Sequence, residues 1–138
     1  MMNVKLKCVL LVDDDEAVNF INEMVLKRVD LAERIEIAEN GMEAIRYLED
    51  RLEKGAPPPE LILLDINMPG LNGWEFLEKY RQLKARLQRA ATIVMLTTSS
   101  NPDDRLRAAR IEEVKGFISK PLTVEKMEEI VALHRGEN

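Results

Sequence analysis

The sequence predicts a single α/β domain: a parallel sheet covered by helices on both faces. Three features carry that reading. Short apolar runs alternate with helically spaced segments five times over, and such alternation specifies a parallel sheet with crossover helices. The runs at 9–12 and 61–64 are apolar without polar interruption, as in strands buried on both faces. Each run stops at a cluster of Asp, Asn, Gly, Pro, Ser or Thr, the residues that end strands and start helices. With 138 residues, the chain is long enough for one real core. Hydrophobic residues make up 46% and charged residues 33%, which excludes a disordered chain. The net charge of −5 argues against nucleic acid as a partner. Cys8 stands alone inside an apolar run, so it reads as a buried strand residue and no disulfide framework exists. The first apolar stretch is short and ends in three aspartates, unlike a signal peptide, and no segment reaches membrane-spanning length. A cytoplasmic location without membrane attachment is the expectation.

The first strand is the run 7–12, ending at Asp13-Asp14-Asp15. Ala17, Val18, Ile21, Met24, Val25 and Val29 then fall on one helical face, and Asp14 or Asp15 caps that helix. Residues 34–38 alternate like a shorter strand nearer the sheet edge. Asn40 with Glu43 three residues on forms a capping-box pattern, and Ala44, Ile45, Leu48 and Leu52 supply the helix's apolar stripe. Gly55-Ala56-Pro57-Pro58-Pro59 ends it, since proline cannot continue a helix and favours a stiff extended connector. The third strand is Leu61-Ile62-Leu63-Leu64-Asp65, followed by a helix from about Asn72 that buries Trp74, Leu77, Tyr80 and Leu83. The pattern continues to Arg89, so this helix is long or gains a turn, with its bases on a solvated face. The fourth strand, 92–96, ends at Thr97; Asn101-Pro102-Asp103-Asp104 then gives a cap, a proline and acids at the positive end of a helix dipole. A short fifth strand, 116–119, ends at Lys120-Pro121, and Thr123 caps a last helix carrying Val124, Met127, Ile130, Val131 and Leu133. Residues 1–138 thus read as one domain without repeat, low-complexity tail or second unit.

In such a sheet every strand's C-terminal end lies on one edge, where open α/β sheets bind ligands. The first strand brings Asp13 and Asp14 there, the third Asp65, the fourth Thr97 and the fifth Lys120. Taken singly, each has a plain structural explanation: helix caps, a satisfied loop hydroxyl, an exposed loop lysine. Taken jointly, those explanations leave the convergence unaccounted for. With the strands ordered 2-1-3-4-5, the first and third are neighbours and the acids meet at the switch point. Two unit charges about 4 Å apart repel by about 4 kcal/mol at an effective dielectric near 20. Three carboxylates must therefore take up protons or a cation. Hard carboxylate oxygens suit Mg²⁺, which keeps waters and accepts a phosphate oxygen, and Mn²⁺ fits the same donors.

Leu10-Leu11-Val12-Asp13-Asp14, Leu63-Leu64-Asp65-Ile66-Asn67-Met68-Pro69-Gly70-Leu71-Asn72-Gly73, Leu96-Thr97 and Lys120-Pro121 together resemble the receiver domain of bacterial two-component response regulators. The likeness runs through essentially the whole chain in order. It implies the flavodoxin-like (βα)5 fold with strand order 2-1-3-4-5. Carried over by position, it implies that Asp65 accepts a phosphoryl group and that Asp13, Asp14, Asp65 and the Asn67 carbonyl hold Mg²⁺. It implies that Thr97 and Lys120 meet the phosphoryl oxygens, that the Lys120-Pro121 bond is often cis, and that Thr97 and Phe117 act as a conformational switch. Tyr is frequent in the family where Phe117 stands, so a hydroxyl-based readout is in question here while steric coupling remains. The resemblance further implies that the donor is a phosphohistidine on a sensor histidine kinase or phosphotransfer protein. His134, the single histidine, falls at the end of the last helix and reads as exposed there. The chain would assist its own phosphorylation and dephosphorylation without being an enzyme in the ordinary sense. It would signal to a downstream protein, or to a second copy, through the fourth helix, fifth strand and last helix. Arg105, Arg107, Arg110, Lys115 and Glu129 lie on that face, with Asp103 and Arg107 spaced to pair. A hydrolase resembling haloacid dehalogenase-like phosphatases is the competing class, but it needs an acid two residues after its nucleophile, where this chain has Asn67. A receiver-like module that is never phosphorylated is the third reading, and the complete set of acids, Thr97 and Lys120 argues against it.

Overall fold

The computed structural model describes residues 5–87 and 89–136. Its elements run β1 (Val9–Val12), α1 (Glu16–Val29), β2 (Ile35–Ala38), α2 (Gly41–Glu53), β3 (Leu61–Leu64), α3 (Gly73–Lys84), β4 (Thr92–Thr97), α4 (Pro102–Ala109), β5 (Val114–Ser119) and α5 (Val124–His134). The strands form one sheet ordered β2-β1-β3-β4-β5, and every pairing is parallel. This is the doubly wound, flavodoxin-like architecture expected from the alternation.

Successive strand residues point to opposite faces, and the two cores follow that parity. Leu10, Val12, Ile62, Leu64, Ile93 and Met95 pack against α2, α3 and α4 through Ile45, Leu48, Phe76, Tyr80 and Ala108. Val9, Leu11, Leu61, Leu63, Val94 and Leu96 pack on the other side against Leu26 of α1 and Met127, Ile130 and Val131 of α5. With helices on both sides, β1 and β3 can be apolar throughout. The edge strand β2 is only partly covered, in keeping with its alternating sequence.

Local caps agree closely with the sequence. Asp15, of the two candidates, caps α1 by accepting from Ala17 N and Val18 N. Asn40 caps α2 by accepting from Glu43 N. The full reciprocal box forms instead at α3, between Asn72 and Glu75. Asn101 and Thr123 cap α4 and α5.

Four expectations are corrected. The α1 stripe is partly displaced: Val25 and Val29 pack against the core, but Ala17, Ile21 and Met24 are exposed, while Asn19, Asn22 and Leu26 face inward. The inward residues repeat with the same helical period, and the Asn19 side chain reaches back to the Asp13 carbonyl at 2.8 Å. That bond is available only if this face turns toward the sheet. The bases from Lys84 to Arg89 are partly engaged: Lys84, together with Arg81 one turn earlier in α3, reaches Glu113, and Arg89 reaches Glu60. The helix itself stops at Lys84, and bonds from Arg86 N to Leu83 O and from Leu87 N to Lys84 O add a tight turn. His134 is half-buried, 2.8 Å from Thr92 Oγ1, and burial pushes its pKa down. Arg107 stacks 4.3 Å above the Trp74 ring instead of joining Asp103. In each of the last three cases a partner distant in sequence takes a side chain that local spacing had assigned to solvent or to its own helix.

Cys8 is buried, 3.6 Å from the Tyr47 hydroxyl. Burial, foremost, pushes Tyr47 up to about 12. Among the described residues, no helix is long and apolar enough to cross a membrane.

Candidate functional site

Parallel register fixes the site before any side chain is considered. Val12 pairs with Leu64, so the next residues, Asp13 and Asp65, emerge side by side at the strand tips. Asp65 N donates to Val12 O at 2.9 Å, which continues the ladder one residue beyond the strands. Thr97 ends β4 and pairs with Ser119 of β5. Lys120 N donates to Thr97 O at 2.9 Å, which aims the lysine back across the edge. The Lys120-Pro121 peptide is cis.

The side chains converge. One carboxylate oxygen each from Asp13, Asp14 and Asp65 lies within 4.8 Å of the others. Asp13 and Asp65 are buried and Asp14 is exposed. Lys120 Nζ donates to Asp13 Oδ2 at 2.5 Å and lies 3.3 Å from Asp65 Oδ1. Asp13 Oδ1 accepts from Asp15 N at 2.9 Å. The cluster thus holds three carboxylates and one ammonium, which reaches two of them. Burial raises the Asp65 pKa; Lys120 opposes that and neighbouring Asp13 reinforces it. The Lys120 ammonium loses hydration on burial, yet its bonds and charges to Asp13 and Asp65 leave its pKa raised. Net negative charge on hard oxygens, with one carboxylate open to solvent, suits a divalent cation that retains waters. The donor set therefore fits Mg²⁺.

Thr97 is fully buried, and its Oγ1 accepts from Ser99 N at 3.1 Å, which leaves the hydroxyl hydrogen free to donate elsewhere. Ser99 Oγ donates to Asp104 Oδ2 at 2.6 Å, tying this loop to α4. Asn67 is exposed on the β3–α3 loop, two residues beyond Asp65. Phe117 on β5 is half-buried, with the Arg105 guanidinium 4.9 Å from its ring centre.

Two supports were missed at the sequence level. Asn19 holds the carbonyl of Asp13. Gly73 lies so close to β3 that a Cβ there would sit 2.5 Å from Asp65 O and 2.9 Å from Ile66 Cα. The Asn72-Gly73 pair signals a helix start, but nothing in the sequence reveals what lies against it.

The family profile of the response regulator receiver domain matches residues 9–132. The chain belongs to that family. The receiver is 32% identical over 123 residues to the probable methanogenesis regulatory protein FilR2 of Methanothrix harundinacea, covering 89% of this chain and 77% of that protein. It is 37% identical over 99 residues to response regulator Rcp1 of Synechocystis sp., covering 71% of this chain and 66% of Rcp1. A two-component response regulator structure from Cytophaga hutchinsonii superposes with a TM-score of 0.87 at 32% identity, covering 96% of this chain and 99% of that one. The Mn²⁺-bound structure of Rcp1 superposes with a TM-score of 0.72 at 31% identity, covering 91% and 88% of the two chains. The receiver is a signalling protein with phosphoacceptor function in two-component systems, and not a classical enzyme. Its class binds Mg²⁺ and works with histidine kinases or phosphotransfer proteins and with downstream effectors.

Proposed function

We propose that Asp65 is the phosphoacceptor, that Asp13, Asp14, Asp65 and the Asn67 carbonyl bind Mg²⁺, and that Thr97 and Lys120 receive the phosphoryl oxygens. One observation carries this: the buried Asp65 carboxylate shares a single lysine with Asp13 and lies beside Asp14. A group so placed is destabilised as a bare anion and gains from added positive charge. One Asp65 oxygen attacks phosphorus in line; the phosphorus–nitrogen bond of the donor phosphohistidine breaks, and the imidazole leaves with its electron pair. Phosphoryl transfer asks chiefly for positioning and charge neutralisation. Bound Mg²⁺ supplies the neutralisation. Lys120 already touches Asp65 and is placed to pair with the incoming oxygens, while the free Thr97 hydrogen donates to another.

Phosphorylation then biases two conformations. Thr97 moves toward the phosphoryl group and Phe117 turns into the space it leaves. The support is that Phe117 lies half-buried beneath Arg105, on the strand next to Thr97. The chain thereby assists its own phosphorylation and dephosphorylation. We further read residues 1–138 as a single cytoplasmic receiver with no affinity for nucleic acid. It takes its phosphoryl group from a sensor histidine kinase or a phosphotransfer protein. It signals to a downstream partner, or to a second copy, over α4, β5 and α5, where Leu106 is exposed.

With Mg²⁺ and a small acyl-phosphate donor, intact mass spectrometry is expected to show one added phosphoryl group on the wild type, none on Asp65→Asn, and none after EDTA. Equal gain by both proteins overturns the assignment of Asp65, and labelling that survives chelation overturns the metal's role.

A further inference from the structure

Lys120 reaches Asp13 and Asp65 from the tip of β5, and β5 is an edge strand of the sheet. On its inner side the chain is paired: Lys120 N donates to Thr97 O at 2.9 Å. No strand lies on its outer side, so main-chain groups there are left to water or to side chains. Lys126 supplies a donor at this place. Its Nζ donates to Ser119 O at 2.7 Å and to Pro121 O at 3.1 Å. A single ammonium thus holds the carbonyls of the residues before and after Lys120.

Helix formation gives no reason for a lysine at this position. Lys126 is the third residue of α5, where the helix dipole is positive and a cation is unfavourable. The first three residues of α1, α2, α3 and α4 include no Lys or Arg. Thr123 caps α5 by accepting from Lys126 N, which uses the backbone of Lys126 and not its charge. Among the described residues, no Asp or Glu pairs with the ammonium. Its bonds go to the two carbonyls beside Lys120.

We propose, on the basis of the role given above to Lys120, that Lys126 is a positioning residue for it. Charge-assisted bonds on both sides of Lys120 fix the point from which that side chain extends. The Lys120 ammonium then passes from Asp13 to the incoming phosphoryl oxygens over a main chain that is already ordered, so little reorganisation is left for the transition state. Lys126 itself touches neither Asp65 nor the phosphoryl group.

The test uses the full chain with saturating Mg²⁺ and a small acyl-phosphate donor, so that no partner protein contacts the loop. Lys126→Met is expected to label about fivefold more slowly than wild type, and Lys126→Arg, which keeps a cation for the two carbonyls, to stay within about twofold of it. Lys120→Met should be slower by about a hundredfold. Adding Lys126→Met to that variant should change nothing further, because the effect passes through Lys120. Mg²⁺ affinity, measured by isothermal titration calorimetry, should be the same in Lys126→Met as in wild type. Glu113→Ala serves as the control for a general loss of stability and should label at the wild-type rate. A wild-type rate in Lys126→Met overturns the inference and leaves the role of Lys120 standing. So does equal slowing in Lys126→Arg, further slowing in the Lys120→Met background, weakened Mg²⁺ binding, or the same slowing in Glu113→Ala. Lys120→Met labelling as fast as wild type overturns the role of Lys120 and this inference with it.

Discussion

Two clusters in this molecule bring buried carboxylates against ammonium groups, with opposite outcomes. Glu113, just before β5, accepts from Arg81 Nε at 3.0 Å and from Lys84 Nζ at 2.9 Å. One acid has two bases. Burial alone would raise its pKa, but the bonds from Lys84 and Arg81 win and hold it at about 2. At the strand tips the ratio is reversed. Asp13, Asp14 and Asp65 lie together around the single Lys120, and burial wins at Asp65, whose pKa is raised. The first cluster is complete and ties α3 to the start of β5. The second is short of positive charge, and that deficit suits the metal ion and the phosphoryl transfer proposed there. A buried salt bridge as such says little about function; the balance of charge within it says more.

Several measurements would break or sharpen this contrast. Glu113→Ala should destabilise the fold by about 2 kcal/mol in thermal or urea unfolding, because it removes a hub and leaves two bases to rehydrate. An effect near zero would mean the cluster is ornamental. The pH dependence carries the same sign. Glu113 has its ordinary pKa near 4.5 when unfolded and about 2 when folded. Its stabilisation is therefore fully present above about pH 4.5 and lost as pH falls toward 2. A urea-midpoint titration of wild type against Glu113→Gln should show the two curves converging across that window. Asp65 should behave oppositely. Its pKa is raised on folding, so the ionised form costs stability at neutral pH and the protonated form at low pH does not. Without divalent ions, Asp65→Asn is expected to unfold a few degrees above wild type, a gain of about 1 kcal/mol. Added Mg²⁺ should raise the wild type more than the variant and shrink the difference. A destabilised Asp65→Asn in EDTA would show that Lys120 already neutralises the pocket. The smallest effect concerns the guanidinium over Phe117. An exposed cation–π contact is worth about 0.5–1 kcal/mol, so Arg105→Ala should speed acyl-phosphate labelling about two- to fivefold if that contact holds Phe117 outward. An unchanged rate would remove Arg105 from the switch.

The sheet and the pocket were legible in the chain because each rests on short-range rules. Apolar runs of four residues, caps at Asp15, Asn40, Asn101 and Thr123, and the proline block at 57–59 gave the order of elements. Parallel pairing then brings every strand's C-terminal end to one edge, so Asp13, Asp65, Thr97 and Lys120 had to gather there whatever their rotamers. The sequence by itself thus determined which residues share the edge. The tertiary structure decided what the remaining side chains do. Periodicity could not choose between adjacent stripes of α1, because residues 17, 21 and 24 and residues 19, 22 and 26 repeat alike; the bond from Asn19 to the Asp13 carbonyl accompanies the second set. Spacing could offer Arg107 only its own helix, whereas folding offered it Trp74. It left His134 at a helix end, and folding set that end against Thr92. Gly73 reads in the sequence as a helix start, and only folding sets the Asp65 carbonyl against its backbone. Backbone periodicity is written within a few residues of each position, while the partner of a long side chain is fixed by packing between elements that sequence proximity does not relate.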